Sequence, residues 1–242
     1  EPSPTWVELH DDLHFVPGRH EFLWTSERSG HHHLYRHDYD GQLLGAVTAG
    51  DWDVVGDAGQ PAVRGIDAGH GRVYFMATLK SPLERQLYVA DLDAGASRAP
   101  RALTTNAGWH SVTMSPDVRR FLLHYSDPLQ PPQLSLHDAA GKRLAWLVEN
   151  RLDGSHPYAP YRDRHVAPEF GTLPARDGTP LHWQLYRPAG FDPARRYPAI
   201  VLVYGGPTAQ AVHRRWGDRR GGQVAQILAQ RGYVVFQLDN RG

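Results

Sequence analysis

The chain contains no cysteine, which excludes disulfides, thiolate nucleophiles and thiolate-bound zinc. It also lacks an excess of either charge. The 26 lysines and arginines balance 26 aspartates and glutamates, so nothing in the composition draws it to nucleic acid or to an anionic membrane. No apolar run approaches the ~20 residues of a membrane span, and Glu1-Pro2-Ser3-Pro4 does not read as a secretory leader. What the chain does have is 24 glycines, 19 prolines, 7 tryptophans and 11 tyrosines. That mixture points to many short strands joined by tight turns.

Residues 1 to about 155 read as β throughout. Strand-like runs occupy Thr5-Leu9, Glu21-Thr25, His33-Asp38, Leu43-Ala46, Val63-Asp67, Arg72-Thr78 and Gln86-Asp91. They continue at Ser111-Met114, Arg120-Tyr125, Gln133-His137 and Arg143-Leu147. Turn signals such as Asp40-Gly41, Asp93-Ala94-Gly95, Ser115-Pro116-Asp117 and Ala140-Gly141-Lys142 separate them. A weak repeat runs beneath. Phe22-Leu23-Trp24-Thr25 leads to Leu34-Tyr35 and a turn at Gly41. Val73-Tyr74-Phe75-Met76 leads to Leu87-Tyr88 and a turn at Gly95. Leu122-Leu123-His124-Tyr125 leads to Leu134-Ser135-Leu136 and a turn at Gly141. The period of about 50 residues is close to that of a four-stranded propeller blade. The reading is a partial β-propeller of about three blades, fewer than the ~4–8 that close a ring. A β-sandwich also fits short strands with regular turns; the repeat favours the propeller.

Prolines 157, 160, 168 and 174 place a domain boundary after Ser155. Beyond it, Glu169-Leu173 and Leu181-Arg187 predict a hairpin around Asp177-Gly178-Thr179. The run Pro198-Val203 ends in Tyr204-Gly205-Gly206-Pro207, the pattern of a buried strand feeding a sharp turn. Apolar residues on both faces of such a strand suit a parallel sheet covered by helices. Gly222 to Gln230 has helical spacing in Val224, Ile227 and Leu228 and ends at Gly232, a C-cap signal. Tyr233-Leu238 predicts a second buried strand, leading to Asp239-Asn240-Arg241-Gly242.

These pieces, in order, carry a resemblance. Pro168-Glu169-Phe170, Leu185-Tyr186-Arg187-Pro188, Gly190-Phe191-Asp192-Pro193, Val203-Tyr204-Gly205-Gly206-Pro207 and Asp239-Asn240-Arg241-Gly242 follow a propeller end. The whole is similar to the prolyl oligopeptidase family of serine peptidases. Gly50-Asp51-Trp52-Asp53-Val54, His110-Ser111-Val112 and Tyr125-Ser126-Asp127-Pro128 resemble its bacterial dipeptidyl peptidase IV branch. The resemblance implies that residues 1–155 are the C-terminal part of a β-propeller domain. It implies that residues 156–242 are the N-terminal part of an α/β-hydrolase peptidase domain, cut before its nucleophile. The implied activity is release of N-terminal X-Pro or X-Ala dipeptides. The alternatives are an oligopeptidase or acylaminoacyl peptidase of the same family, or a non-catalytic propeller that binds peptides. The family further implies a peptide substrate, a homodimer of the full-length protein and a periplasmic or secreted setting, and it calls for no cofactor. Two departures stand out. Val118 occupies a turn position where propeller members usually have glycine. No G-x-S-x-G occurs, and the last serine is Ser155. In hydrolase folds the acid and histidine follow the nucleophile, so this chain alone is expected to be inactive.

The candidate catalytic residue is Tyr204, at the carboxyl end of its strand, where open α/β sheets bind ligands. A phenol with a pKa of about 10 donates a hydrogen bond at neutral pH without carrying charge. The resemblance makes it a donor to the oxyanion formed when a serine attacks a peptide carbonyl. A strand-end tyrosine that only packs is the other reading. Asp239 precedes any triad acid in chain order, which favours a turn carboxylate bonded to nearby backbone, with Arg241 as a possible partner. His31-His32-His33 cannot easily converge on one metal ion, since neighbours on a strand point to opposite faces; a solvated hairpin is expected. His10, His14 and His20 lack ligand spacing. The run His213, Arg214, Arg215, Arg219, Arg220 suits a solvated loop or a peptide or partner contact. Glu84-Arg85 extends from a long blade turn, from which it could reach a substrate channel, although no residue pattern shows that it does.

Overall fold

The computed structural model describes residues 12–57, 59–203, 209–217 and 222–240. The chain divides into two compact units. The first holds the described residues up to Tyr125 together with Leu134–Val148, and the second holds Ser126–Gln133 with the residues from Glu149 onward.

The first unit is three four-stranded sheets, each built in chain order. One contains β1 (Leu13–Phe15), β2 (Glu21–Ser26), β3 (His33–Asp38) and β4 (Leu43–Ala46). The next contains β5 (Val63–Asp67), β6 (Arg72–Ala77), β7 (Gln86–Asp91) and β8 (Arg101–Ala102). The third contains β9 (Trp109–Met114), β10 (Arg120–Ser126), β11 (Gln133–Asp138) and β12 (Arg143–Val148); Ser126 and Gln133, at the ends of its two inner strands, are counted with the second unit. These are propeller blades, three in number as the repeat predicts. Thr5-Leu9 lies outside the described residues. β1 and β8 are short additions that the alternation was too brief to signal.

Burial explains why the middle strands read as continuous apolar runs. Along β6, Val73, Phe75 and Ala77 enter one core with Leu23, Leu34 and Val47 of the first blade. Tyr74 and Met76 point the other way, into a core with Val112, Phe121 and Leu123 of the third. β7 divides likewise, Tyr88 and Ala90 to one side, Leu87 and Val89 to the other. A two-residue period with both faces covered makes every position apolar.

The repeat survives at atomic detail. In the first blade Phe22 stacks on His37, whose Nδ1 donates to the Gly41 carbonyl at 3.1 Å, while Asp38 accepts from the Gln42 amide at 2.8 Å. In the third, Phe121 stacks on His137, whose Nδ1 donates to the Gly141 carbonyl at 3.1 Å, and Asp138 accepts from the Lys142 amide at 2.9 Å. Histidine, aspartate and a left-handed glycine thus close the same hairpin twice; Gly41 and Gly141 have φ of 82° and 96°.

The second unit carries β13 (Glu169–Pro174), β14 (Pro180–Tyr186), β15 (Ala199–Leu202), helix α1 (Gly222–Gln230) and β16 (Val234–Leu238). Sheet order is β13-β14-β16-β15. β15 and β16 are parallel and the other pairs antiparallel, so α1 lies on a parallel crossover. Gly171 sits opposite Trp183, and a Cβ there would fall 2.3 Å from the indole, so only glycine fits.

Two expectations change here. The buried face of α1 is Gly222, Ala225 and Ala229, while Val224 and Ile227 stand about half exposed at 52% and 53%. Small residues let the helix approach Tyr186 and Val235 closely. β15 is not covered on both faces among the described residues: it is an edge of the sheet, with Val201 60% exposed.

Candidate functional site

The candidate centre is the crossover between β15 and β16. Tyr204 to Thr208 lie outside the described residues, as do Arg219, Arg220 and Arg241. What is described is the frame around that turn. β15 pairs with β16 from Ala199↔Val234 to Leu202↔Gln237, and the chain returns at Ala211–His213, which is buried.

Asp239, just past β16, fixes that return. Its Oδ1 accepts from the Ala211 amide at 2.7 Å and the Val212 amide at 3.1 Å, and its Oδ2 accepts from Val212 at 3.0 Å. Its own amide donates to the His182 carbonyl at 2.9 Å. Burial pushes the carboxyl up from its ordinary value, and the two amides pull it back down. Asp239 is therefore bonded to backbone, as expected, but to amides brought close by the sheet rather than to its own turn. Beside it Gln184 donates to Gln237 Oε1 at 2.6 Å and to the Ala211 carbonyl at 3.4 Å, so the buried amides are satisfied in pairs.

The basic run is not a fully solvated loop. His213 is 5% exposed, and the Arg214 guanidinium lies 5.0 Å over the Phe170 ring. Ala211 and Val212 draw the start of the run inward because the Asp239 carboxylate needs their amides in a buried place.

An aromatic cluster that sequence reasoning missed lies in the same unit. His165 stacks on Trp216, and Tyr158 meets both rings edge-on. His165 Nε2 donates to the Pro128 carbonyl at 2.7 Å, which leaves Nδ1 to accept the Tyr158 hydroxyl at 2.9 Å. Burial raises the Tyr158 phenol. The Trp216 amide reaches Ser126 Oγ at 3.4 Å. The only signal for it was aromatic density between Tyr158 and His165, and nothing linked that stretch to Trp216.

The other candidates separate. His31 Nδ1 lies 3.2 Å from Asp53, His32 Nδ1 2.7 Å from the Val54 carbonyl, and His33 bonds Thr48 Oγ1 at 3.0 Å and the Gly50 carbonyl at 2.9 Å. The ring nitrogens go to separate partners, although the His31 and His33 rings lie 6.4 Å apart. His33 is buried rather than solvated, which lowers its pKa. His33 and Leu34 are both fully enclosed in the blade, whereas His31 and His32 are partly exposed. Among the described residues no group of three His, Asp or Glu is placed to hold a metal. His14 pairs with Asp12 at 2.5 Å, and His20 packs edge-on to Tyr39; His10 lies outside the described residues. Glu84 is buried and accepts from Gln86 at 3.1 Å. Arg85 lies 4.5 Å over the Trp109 ring, with burial lowering its pKa to about 10. Glu84 is engaged within its own blade, and Arg85 is engaged with Trp109 of the next.

Comparison with known proteins fits this frame. Residues 1–132 match the family described as the dipeptidyl peptidase IV N-terminal region. The chain is 33% identical to a probable dipeptidyl-aminopeptidase B of Emericella nidulans, over 98% of this chain and 26% of that protein. It is 29% identical to dipeptidyl peptidase 8 of Mus musculus, over 100% of this chain and 30% of that one. The crystal structure of Porphyromonas gingivalis dipeptidyl peptidase 4 superposes with a TM-score of 0.79 at 27% identity, covering 95% of this chain and 30% of that one. The chain thus spans less than a third of the length of these relatives. With blades in the expected order and a family match over more than half its length, the chain belongs to the dipeptidyl peptidase IV family.

Proposed function

We propose that the intact protein carrying this chain is a serine peptidase that releases dipeptides from peptide N-termini, with proline or alanine second. The observation that carries the reading is similarity along nearly the whole chain to proteins named dipeptidyl peptidases. In this reading residues 1–155 end a propeller domain and residues 156–242 begin the peptidase domain. The peptide substrate and a homodimeric assembly follow from the same resemblance.

In the reaction, a serine oxygen attacks the carbonyl carbon of the second residue. A histidine takes the serine proton and returns it to the leaving amine, leaving the dipeptide as an ester on the serine; water, deprotonated by the same histidine, then cleaves that ester, releasing the dipeptide acid and restoring the serine hydroxyl. The carbonyl oxygen becomes an oxyanion, and Tyr204 is assigned as one of its donors. Support comes from its position. It follows β15 at the carboxyl end of a parallel pair, where α/β sheets gather their ligands. The far end of its loop is held by Asp239 through two amides. Residues 156–242 hold no serine, so the nucleophile this reading requires is not among these residues.

The test is incubation of the intact protein with Ala-Pro-p-nitroanilide and with its N-acetylated form. Release of nitroaniline from the free-amine substrate only, blocked by a fluorophosphonate, is expected. The 242-residue chain by itself should stay unlabelled by that probe. Failure of the intact protein to cleave, or labelling of the chain alone, overturns the proposal.

A further inference from the structure

One short stretch of β16 holds the chain both where it leaves β15 and where it comes back. On the way out, β15 pairs in parallel with β16, and the last pair is Leu202↔Gln237. On the way back, Asp239, two residues past Gln237, takes the Ala211 amide at 2.7 Å and the Val212 amide at 3.1 Å on Oδ1 and 3.0 Å on Oδ2. Tyr204 falls between these two fixed points in the sequence.

The carboxylate does not act alone. Gln184 and Gln237 are register partners on β14 and β16, and each is only 2% exposed. Gln184 Nε2 donates to Gln237 Oε1 at 2.6 Å and to the Ala211 carbonyl at 3.4 Å. Gln184 and Asp239 therefore engage both the carbonyl and the amide of Ala211, which is itself buried, as is Val212. Side chains enclosed in a sheet are ordinarily apolar, because a buried amide is costly unless it is bonded. Apolar residues would fill the same space. What the polar set adds is direction, since hydrogen bonds fix where a backbone lies and not only that it is covered.

We propose that Asp239 is a positioning residue for the peptidase reaction: by fixing Ala211 and Val212 it sets how the loop bearing Tyr204 returns to the sheet, and through that loop how Tyr204 meets the oxyanion. The assignment rests on the peptidase reading above. A loop tied at both ends has fewer conformations than one tied at a single end, so less of the donor's orientation has to be found during the reaction.

A double-mutant cycle with Tyr204→Phe tests it in the intact protein. Asp239→Asn keeps the shape of the side chain but turns one acceptor oxygen into an N–H donor facing a backbone N–H. Its kcat on Ala-Pro-p-nitroanilide, counted per site titrated with a fluorophosphonate so that unfolded protein is left out, should fall about 10- to 100-fold with KM within about threefold of wild type. In the Tyr204→Phe background the same substitution should cost no more than about twofold, because no hydroxyl is left to aim. Hydrogen exchange at the Ala211 and Val212 amides reads the grip without substrate and should be faster in the variant. If Asp239→Asn does not fold, as judged by its melting curve, Asp239→Ser, whose shorter side chain loses both amides, goes through the same cycle. A wild-type protein that does not cleave the substrate brings down the peptidase reading and this assignment with it. Where the wild type cleaves, the assignment alone is overturned by a variant that keeps its kcat, by equal losses in the two backgrounds, or by unchanged exchange at Ala211 and Val212.

Discussion

The imidazole of His165 lies flat on the indole of Trp216, with ring centroids 4.5 Å apart and planes 2° from parallel. The ring is also bonded at both nitrogens, to Tyr158 Oη and to the Pro128 carbonyl. One side chain thus ties three separate stretches of the second unit. Two hydrogen bonds at ~1 kcal/mol each and one ring contact at ~1 kcal/mol, discounted for partial exposure, make His165→Ala destabilising by about 2 kcal/mol. His165→Phe keeps the stack and loses the bonds, so it should fall about midway. Urea unfolding followed by tryptophan fluorescence reads both, and an unchanged midpoint for the alanine variant would deny the cluster its role.

Val118 occupies a left-handed backbone position, with φ of 55°. A β-branched residue is strained there by ~1–2 kcal/mol. Its side chain packs in part against the core of the second and third blades, which offsets some of that strain. Asparagine tolerates the left-handed region and retains a side chain of similar length. Val118→Asn should therefore raise stability by about 1 kcal/mol, whereas Val118→Ala removes packing and leaves the strain. Thermal melting of the two variants beside wild type checks the order. If asparagine ranks below alanine, the backbone at 118 is not under strain.

That position also shows how far the sequence could be read. A valine at a turn where members of the resembling family usually have glycine was visible, and the left-handed φ is its structural counterpart. The blades were legible because hairpin chemistry repeats: His37-Asp38 with Gly41 and His137-Asp138 with Gly141 are the same turn. Helix α1 was legible in extent and misjudged in facing. Apolar side chains at 224 and 227 signalled the wrong stripe, because alanine and glycine face the sheet. The Asp239 grip on Ala211 and Val212 was only half legible, since no local pattern records which amides a sheet will bring to a carboxylate. The His165–Trp216 stack left no trace, because it joins residues with no shared periodicity. The oxyanion role proposed for Tyr204 rests on its motif and the resemblance, and Tyr204 itself lies outside the described residues.

Acid should weaken the fold well above the range in which carboxylates titrate. His110 is buried, with Nε2 donating to the Asn106 carbonyl at 2.9 Å, and burial lowers its pKa to about 4. Burial also lowers His33 and His137. Unfolded, each takes up a proton near 6.5. Between about pH 6.5 and 4 the unfolded chain therefore binds more protons, so stability falls as pH drops through that window and is restored above it. For His110 the loss is of order 3 kcal/mol on full passage. Asp93 and Asp117, whose pKa values are lowered by hydrogen bonds from Arg19 and Ser115, lose their contribution only at lower pH. Urea midpoints at pH 7 and pH 5 should differ clearly in wild type and much less in His110→Gln, which keeps an N–H donor and cannot be protonated. Parallel pH dependence in the two proteins would remove His110 as the cause.

Tyr204 can be tested in a way that separates chemistry from packing. If the phenol donates to an oxyanion, its hydrogen bond matters only once negative charge has formed, so the loss must appear in turnover rather than in binding. Removing one such donor costs roughly 10²–10³-fold in kcat. Tyr204→Phe in the intact protein should lower kcat on Ala-Pro-p-nitroanilide by about that factor, with KM within about threefold of wild type. A tyrosine that only packs predicts a different pair of results: phenylalanine would be nearly silent, and Tyr204→Ala would lower the melting temperature. Phenylalanine keeps the ring and removes only the hydroxyl, so a large fall in kcat with an unchanged melting temperature can arise only from that oxygen. An active Tyr204→Phe enzyme would leave the oxyanion to other donors and reduce Tyr204 to the end of a strand.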